Sequence, residues 1–256
     1  MDDTPTTETI RRAMAPTRAE IAALAQSSNA KIVGALLGDM NAAARGRALD
    51  VGCGNGKFTR LLAGLFGAVS GIDVKANKIA EAAEAAAKEN LAIDFRVASA
   101  EAMPFADAHF DVVAFSNSLH HIPHPDVALA EAGRVLKAGS LLYMMEPVPS
   151  GNYYDATMLV NDETPVRTVA FRAIAGLVAK GFAPKSEIMY RARRTFAAFE
   201  DWISSQTDQD AKRRALYEAQ PGEVRRRFET NADRDGGGFT FDQVFRVNLL
   251  QKSAGG

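Results

Sequence analysis

The sequence predicts an α/β protein built on a doubly wound, mostly parallel sheet, with N-terminal helices and a helical C-terminal insertion. The strand Arg47-Ala-Leu-Asp-Val51 runs straight into the glycine turn Gly52-Cys-Gly-Asn-Gly56 and then into a helical segment through Thr59, Leu61 and Leu62. Strand, glycine turn and helix in that order open a parallel α/β sheet. Short apolar strands then alternate with helical stretches as far as Glu146, which demands crossover connections and hence parallel pairing. After Pro147 the rhythm stops, which predicts an added segment rather than more of the same sheet.

Taken in order, Thr17-Arg-Ala-Glu20 has capping-box spacing after Pro16, so a helix begins there with Ile21 and Leu24 on one apolar face. A second helix is expected over 29–44, where Ile32, Val33, Leu36 and Leu37 recur at helical spacing. Residues 68–74 read as a strand ending near Asp73, and the alanine-rich stretch 76–89 as its return helix. Residues 93–98, 110–116 and 141–146 read as further strands. A helix over 126–136 is closed by Lys137-Ala-Gly139, since a basic residue and a glycine are end signals. Beyond it, 166–180 reads as helix, 186–191 as strand, and 199–227 as charged helices broken at Pro221. The alternation over 239–249 fits a closing antiparallel strand, and 253–256 a frayed end. The expected division is an N-terminal helical cap (1–45), a cofactor-binding core (46–149), a helical lid or acceptor segment (150–235), and a closing strand with tail (236–256).

The chain has 256 residues, with 30 Lys and Arg against 31 Asp and Glu, a formal charge of −1. That balance argues against a protein whose main task is to coat nucleic acid or an anionic membrane. The single cysteine, Cys53, excludes an intramolecular disulfide framework and a multi-thiolate zinc site, and suits a reducing compartment. No apolar run approaches the ~20 residues of a membrane-spanning helix. The opening MDDTPTTETIRRAM carries two acids where a secretory signal would be positive. A cytoplasmic location is expected, and a homodimer is left open.

Glycines at 52, 54 and 56 suit a ligand that approaches the backbone where a Cβ would collide. A dinucleotide fingerprint would place its third glycine where this chain has Lys57. Asp50, before the turn, suits a cationic ligand better than a phosphate. Asp73, at the end of the second strand, can accept both hydroxyls of a ribose. Together these point to a nucleoside cofactor.

Leu49-Asp-Val-Gly-Cys-Gly-Asn-Gly56, Gly71-Ile-Asp73, Ala100-Glu-Ala-Met-Pro-Phe105, Phe110-Asp-Val-Val113, Ser118-Leu-His-His-Ile-Pro123 and Arg134-Val-Leu-Lys-Ala-Gly139 follow one another along the chain. In that order and spacing the sequence resembles the class I S-adenosylmethionine-dependent methyltransferases, in their small-molecule branch with a Rossmann-like core. The resemblance implies that Gly52, Gly54 and Gly56 line the amino-acid and ribose part of S-adenosylmethionine, with Asp50 near its ammonium group. It further implies that Asp73 holds the ribose diol, Val74 packs on the adenine, and Ser99, Ala100 and Glu101 reach the adenine edge. Ser116 and Asn117 would flank the methionine portion. Ser99 stands where many relatives carry Asp, and Lys78 where an apolar residue commonly covers the adenine, a task its aliphatic stem can share.

A sulfonium methyl is already activated, so the protein's task would be alignment and exclusion of water. A general base is needed only if the acceptor loses a proton, and His121 is the candidate. His120, Glu146, Tyr153 and Tyr154 are candidate acceptor contacts, with loop orientation, turn capping or core packing as the alternative for each. No metal site is expected, because adjacent histidines rarely aim at one ion. The leading function is methyl transfer to O, N or C of a small organic acceptor, releasing S-adenosylhomocysteine, without a nucleic-acid or membrane partner. The alternatives are a non-methylating transfer from the same cofactor and a nucleoside-binding module without turnover.

Overall fold

The computed structural model describes residues 16–38, 46–208 and 210–254. The opening residues 1–15, the part of the second predicted helix over 39–44, and the end of the tail lie outside the described residues. In chain order the elements are α1 (Arg18–Ala23), α2 (Asn29–Leu37), β1 (Arg47–Val51), α3 (Lys57–Ala63), β2 (Ala68–Asp73), α4 (Ala76–Lys88), β3 (Ile93–Val97), β4 (Phe110–Ser116), α5 (Pro125–Val135) and β5 (Leu136–Pro147). There follow α6 (Asn152–Thr157), α7 (Thr164–Ala175), β6 (Phe182–Phe196), α8 (Phe199–Thr207), α9 (Ala211–Ala219), α10 (Pro221–Asn231), β7 (Asp233–Asp235) and β8 (Gly238–Lys252).

The strands form one sheet in the order β3-β2-β1-β4-β5-β8-β6, with β7 paired antiparallel to β8. The pairs β1/β2, β1/β4, β2/β3 and β4/β5 are parallel, so the doubly wound, mostly parallel expectation holds. Val51 stands opposite Ile72 on one side and Phe115 on the other. The carboxyl ends of β1, β2 and β4 therefore lie side by side where the strand order reverses, the position at which open α/β sheets bind ligands.

The described residues fall into two compact units. One takes the stretch from Asn29 to Glu146, Val169–Ile188 and the chain from Arg246 onward; the other takes Pro147–Thr168, Met189–Phe245 and the chain up to Ser28. In the first, Leu49, Val51, Val113, Phe115, Leu142 and Met144 alternate along neighbouring strands and pack with Leu129 and Ala132 of α5. On the other side Phe58 of α3 stacks on Tyr143, with centroids 5.7 Å apart. Burial on both faces explains why these strands read as continuous apolar runs. The second unit has its own core, in which Phe199, Trp202, Val224, Phe228 and Phe241 are all buried. It also contains the capping box: Glu20 N–H donates to Thr17 Oγ1, and Thr17 N–H donates to the Glu20 carboxylate.

The structure lengthens several predicted strands. β5 begins at Leu136, not 141, because Leu136 turns extended at the end of α5 and pairs with Phe110. The register then shifts, with Val112 opposite Leu141, and the intervening Gly139 sits at φ +74°. The helix thus ends at Leu136, before Lys137-Ala-Gly139, and those three residues lie within β5 rather than closing the helix. β6 also extends well beyond 186–191, through Lys185, Arg193 and Arg194, charges that an edge strand tolerates.

Arg134 ties the connection between β3 and β4 to α5. Its guanidinium forks onto the Glu131 carboxylate at 2.8 Å, and donates to Asp107 and to the carbonyls of Phe105 and Met103. Glu131 completes the link by accepting the Met103 N–H at 2.9 Å. The bonds from Arg134 are the largest cause holding the Glu131 carboxyl below its ordinary range. Arg134→Ala is expected to lower stability by about 1–3 kcal/mol in chemical denaturation. Arg134→Lys should recover little of it, since an ammonium cannot fork across a carboxylate and two carbonyls.

Candidate cofactor and active site

The turn after β1 hangs from the end of β2. The N–H groups of Gly52 and Cys53 both donate to the Ile72 carbonyl, at 2.8 and 2.9 Å. The three glycines then answer three different constraints. Gly52 has φ +70°, and a Cβ there would lie 2.6 Å from the Ser118 Cβ. Gly54 has φ +52°, and an added Cβ would meet nothing within 4 Å. Gly56 has φ +72° and starts α3; its Cβ would press on Ala82 and Phe95 at 2.9 and 3.0 Å. Gly56 therefore serves packing, whereas Gly52 and Gly54 line a cavity.

Asp73 closes the turn from the other side. One of its carboxylate oxygens accepts the Gly54 N–H and the other the Lys75 N–H, each at 2.9 Å. Both oxygens keep acceptor capacity, and they are held in a fixed plane. The cavity beside them has a volume of about 730 Å³. Its wall is made of Gly52 and Gly54 after β1, Asp73 to Lys75 and Lys78 after β2, residues 98–101 after β3, and Asn117, Ser118 and His121–Pro123 after β4. Val74 is 64% exposed and supplies an apolar surface on that wall. Lys78 directs its ammonium to Glu81 at 2.8 Å. Ser99 Oγ accepts the Glu101 N–H at 3.1 Å, while the Glu101 carboxylate accepts the His124 N–H at 2.9 Å at the start of α5.

Eight of the predicted cofactor contacts, Gly52, Gly54, Asp73, Val74, Ser99, Ala100, Glu101 and Asn117, thus meet around one space, and His121 joins them. Others stand behind it. Asp50 is buried under the turn and accepts a hydrogen bond from the Thr59 hydroxyl at 2.6 Å. Ser116 accepts the Asn29 side-chain amide at 2.9 Å, and Asn29 in turn accepts the Tyr143 hydroxyl at 2.6 Å. His120 is buried, with its Nδ1 against the Glu146 carboxylate. Tyr153 and Tyr154 belong to the second unit. There Tyr153 lies parallel to Phe196, and the Tyr154 hydroxyl bonds to Asp162 and Thr164. Asn29 and Tyr143 escaped the sequence reading: they lie 87 and 114 residues from the groups they meet, and no local pattern announces such a link.

Residues 49–144 match a family model described as a methyltransferase domain. Over that stretch the chain is similar to methyltransferase domains. The chain is 32% identical over 138 residues to 27-O-demethylrifamycin SV methyltransferase of Amycolatopsis mediterranei, covering 51% of each protein. It therefore spans about half the length of that relative. The methyltransferase fold is shared with the YcgJ protein of Bacillus subtilis at 18% identity, over 87% of this chain and 98% of that one, with a TM-score of 0.65. It is shared also with geranyl diphosphate C-methyltransferase of Streptomyces coelicolor, crystallised with Mg2+, geranyl diphosphate and S-adenosyl-L-homocysteine. That structure is 16% identical, with a TM-score of 0.52 over 87% of this chain and 76% of its own.

Burial raises the Asp50 carboxyl of this domain to about 7; the Thr59 hydroxyl opposes the shift, and the charge of Asp73 adds to it. Between about pH 4 and about pH 7 the folded state therefore holds a proton that the unfolded state, with its ordinary value of 3.8, has released. This contribution to stability is complete below about pH 4 and is lost as pH rises through about 7. Asp50→Asn should flatten that limb, so that denaturation at about pH 5 and about pH 8 gives closer midpoints for the variant than for the native protein.

Proposed function

We propose that this chain binds S-adenosylmethionine in the cavity at the ends of β1, β2, β3 and β4 and transfers its methyl group to a small organic acceptor. S-Adenosylhomocysteine is then the product. The observation that carries this reading is the Asp73 carboxylate, pinned by two backbone N–H groups beside the open face of Gly54. Such a pair of oxygens fits a ribose diol, Gly54 leaves room for the chain that joins the ribose to the amino acid, and Val74 offers a surface for the adenine. Ser99 and Ala100 border the same side, and Asn117 the side toward the methionine.

Bound there, the cofactor supplies an activated methyl group. The chain's own residues orient it and exclude water. His121, exposed on the cavity wall, is placed to accept an acceptor proton at a ring nitrogen where the attacking atom carries one. Glu101 serves the adenine side through its backbone, because its carboxylate is engaged with His124. Asp50 acts from beneath, as a buried acid under the turn that faces the cofactor's cationic end. We assign acceptor choice to residues 150–235 and a cap role to residues up to 45. The single, buried Cys53 is in keeping with a reducing cytoplasm. Among the described residues no helix is long and apolar enough to cross a membrane.

Calorimetric titration with S-adenosylmethionine and S-adenosylhomocysteine, with NAD as the control ligand, tests the cofactor. Saturable binding of the first two without NAD is expected; binding of NAD alone overturns the reading. Asp73→Ala should weaken S-adenosylhomocysteine by about 1–3 kcal/mol, the scale of charged hydrogen bonds left unmade. Unchanged affinity refutes the ribose assignment. In a screen of phenols, amines and carboxylic acids followed by S-adenosylhomocysteine release, His121→Ala should lower turnover while leaving cofactor affinity intact. Cofactor binding with no release from any acceptor would favour a module without turnover.

A further inference from the structure

Glu146, near the end of β5, is 13% exposed at its side chain and engages two donors. One oxygen accepts the Leu119 N–H at 2.9 Å, and the other faces Nδ1 of His120, whose side chain is 1% exposed. An ionised carboxylate can only accept, so this contact calls for the Nδ1–H form of the His120 ring. Leu119 is itself fully buried in the apolar core. The turn Leu119–His121 is therefore fastened at two successive residues, and the third, His121, emerges on the cavity wall. The rings of His120 and His121 touch, with centroids 4.0 Å apart.

The residues before this turn are fastened as well. Asn117 N–H donates to the Met145 carbonyl at 2.7 Å, and the Ser118 hydroxyl to the Val51 carbonyl at 2.6 Å. Asn117 sits at φ +59°, a left-handed conformation that asparagine adopts more readily than most other non-glycine residues. The ends of β1 and β5 thus both supply anchors to one loop.

We propose that Glu146 and His120 form a positioning pair that aims His121, and that neither touches the acceptor. Neither side chain lines the cavity, whereas the residue they orient does. A buried carboxylate bonded to a buried imidazole is stiff because releasing either partner leaves the other unsatisfied. The inference rests on the methyl-transfer reading only where His121 serves an acceptor; the fastening of the loop stands apart from it.

The test uses the full chain, isotopically labelled, with S-adenosylhomocysteine as probe. In the native protein the His120 Nδ1–H should give a slowly exchanging resonance, present with and without the probe, and its absence overturns the proposal. Glu146→Gln and His120→Asn should each speed amide exchange at Leu119 and His121 about tenfold. Each should also diminish the response of the His121 ring to the probe, while affinity stays within about threefold of native. The double variant should do no more than the stronger single, as expected of groups acting as a unit. Native exchange and a native His121 response in both single variants would overturn the assignment. If the native protein does not bind the probe, the cofactor reading fails, and the pair is then judged on exchange and the ring resonance alone.

Discussion

The Ile72 carbonyl accepts two backbone N–H groups, those of Gly52 and Cys53, and much of the candidate site follows from that bifurcated contact. It stops β1 from continuing and forces the chain into a left-handed turn that only glycine adopts without strain. Gly54 N–H is then delivered to the Asp73 carboxylate, which fixes the plane of that group. The turn also covers Asp50, whose burial lifts its carboxyl far above the ordinary range. Parallel register supplies the precondition: Val51 is flanked by Ile72 and Phe115, so the strands end together rather than staggered.

Around the cavity, polar groups divide into those that face the space and those that hold the facing ones still. Asp73, Asn117 and His121 face it; Thr59, Glu146, His120 and Arg134 do not. The supporting groups are buried or tied to backbone, and loosening any of them exposes an unpaired donor or acceptor. The methyl transfer proposed above suits such a division, since its rate depends on alignment more than on chemical participation by the protein.

The second unit is organised differently. Its core is an aromatic cluster in which Trp202, Phe199 and Phe228 meet at centroid distances of 4.9 to 5.6 Å. It also holds a largely buried carboxylate, Glu163, paired with Arg167 and Arg213. Large rings bury much area per residue and so stabilise a small unit assembled from short helices and strand ends. Tyr153 and Tyr154 take part in that packing, which is why rings that read as acceptor contacts find partners within their own unit.

The sequence by itself determined the fold class, the order of the elements in the core, and most of the residues that meet around the cavity. Those features are local: a glycine turn needs its glycines, a parallel strand its apolar run, and a strand-end acid its place after that run. Distinctions among equals were decided by the tertiary structure. Gly54 and Gly56 look alike in the sequence, yet one borders open space and the other presses on Ala82 and Phe95. His120 and His121 are neighbours, yet one is buried on Glu146 and the other faces the cavity. The link from Asn29 to Ser116 and Tyr143 joins positions far apart in the chain. Periodicity tells which residues share a face of one element, but which partner meets that face depends on how separate elements pack, and no single stretch of chain records it.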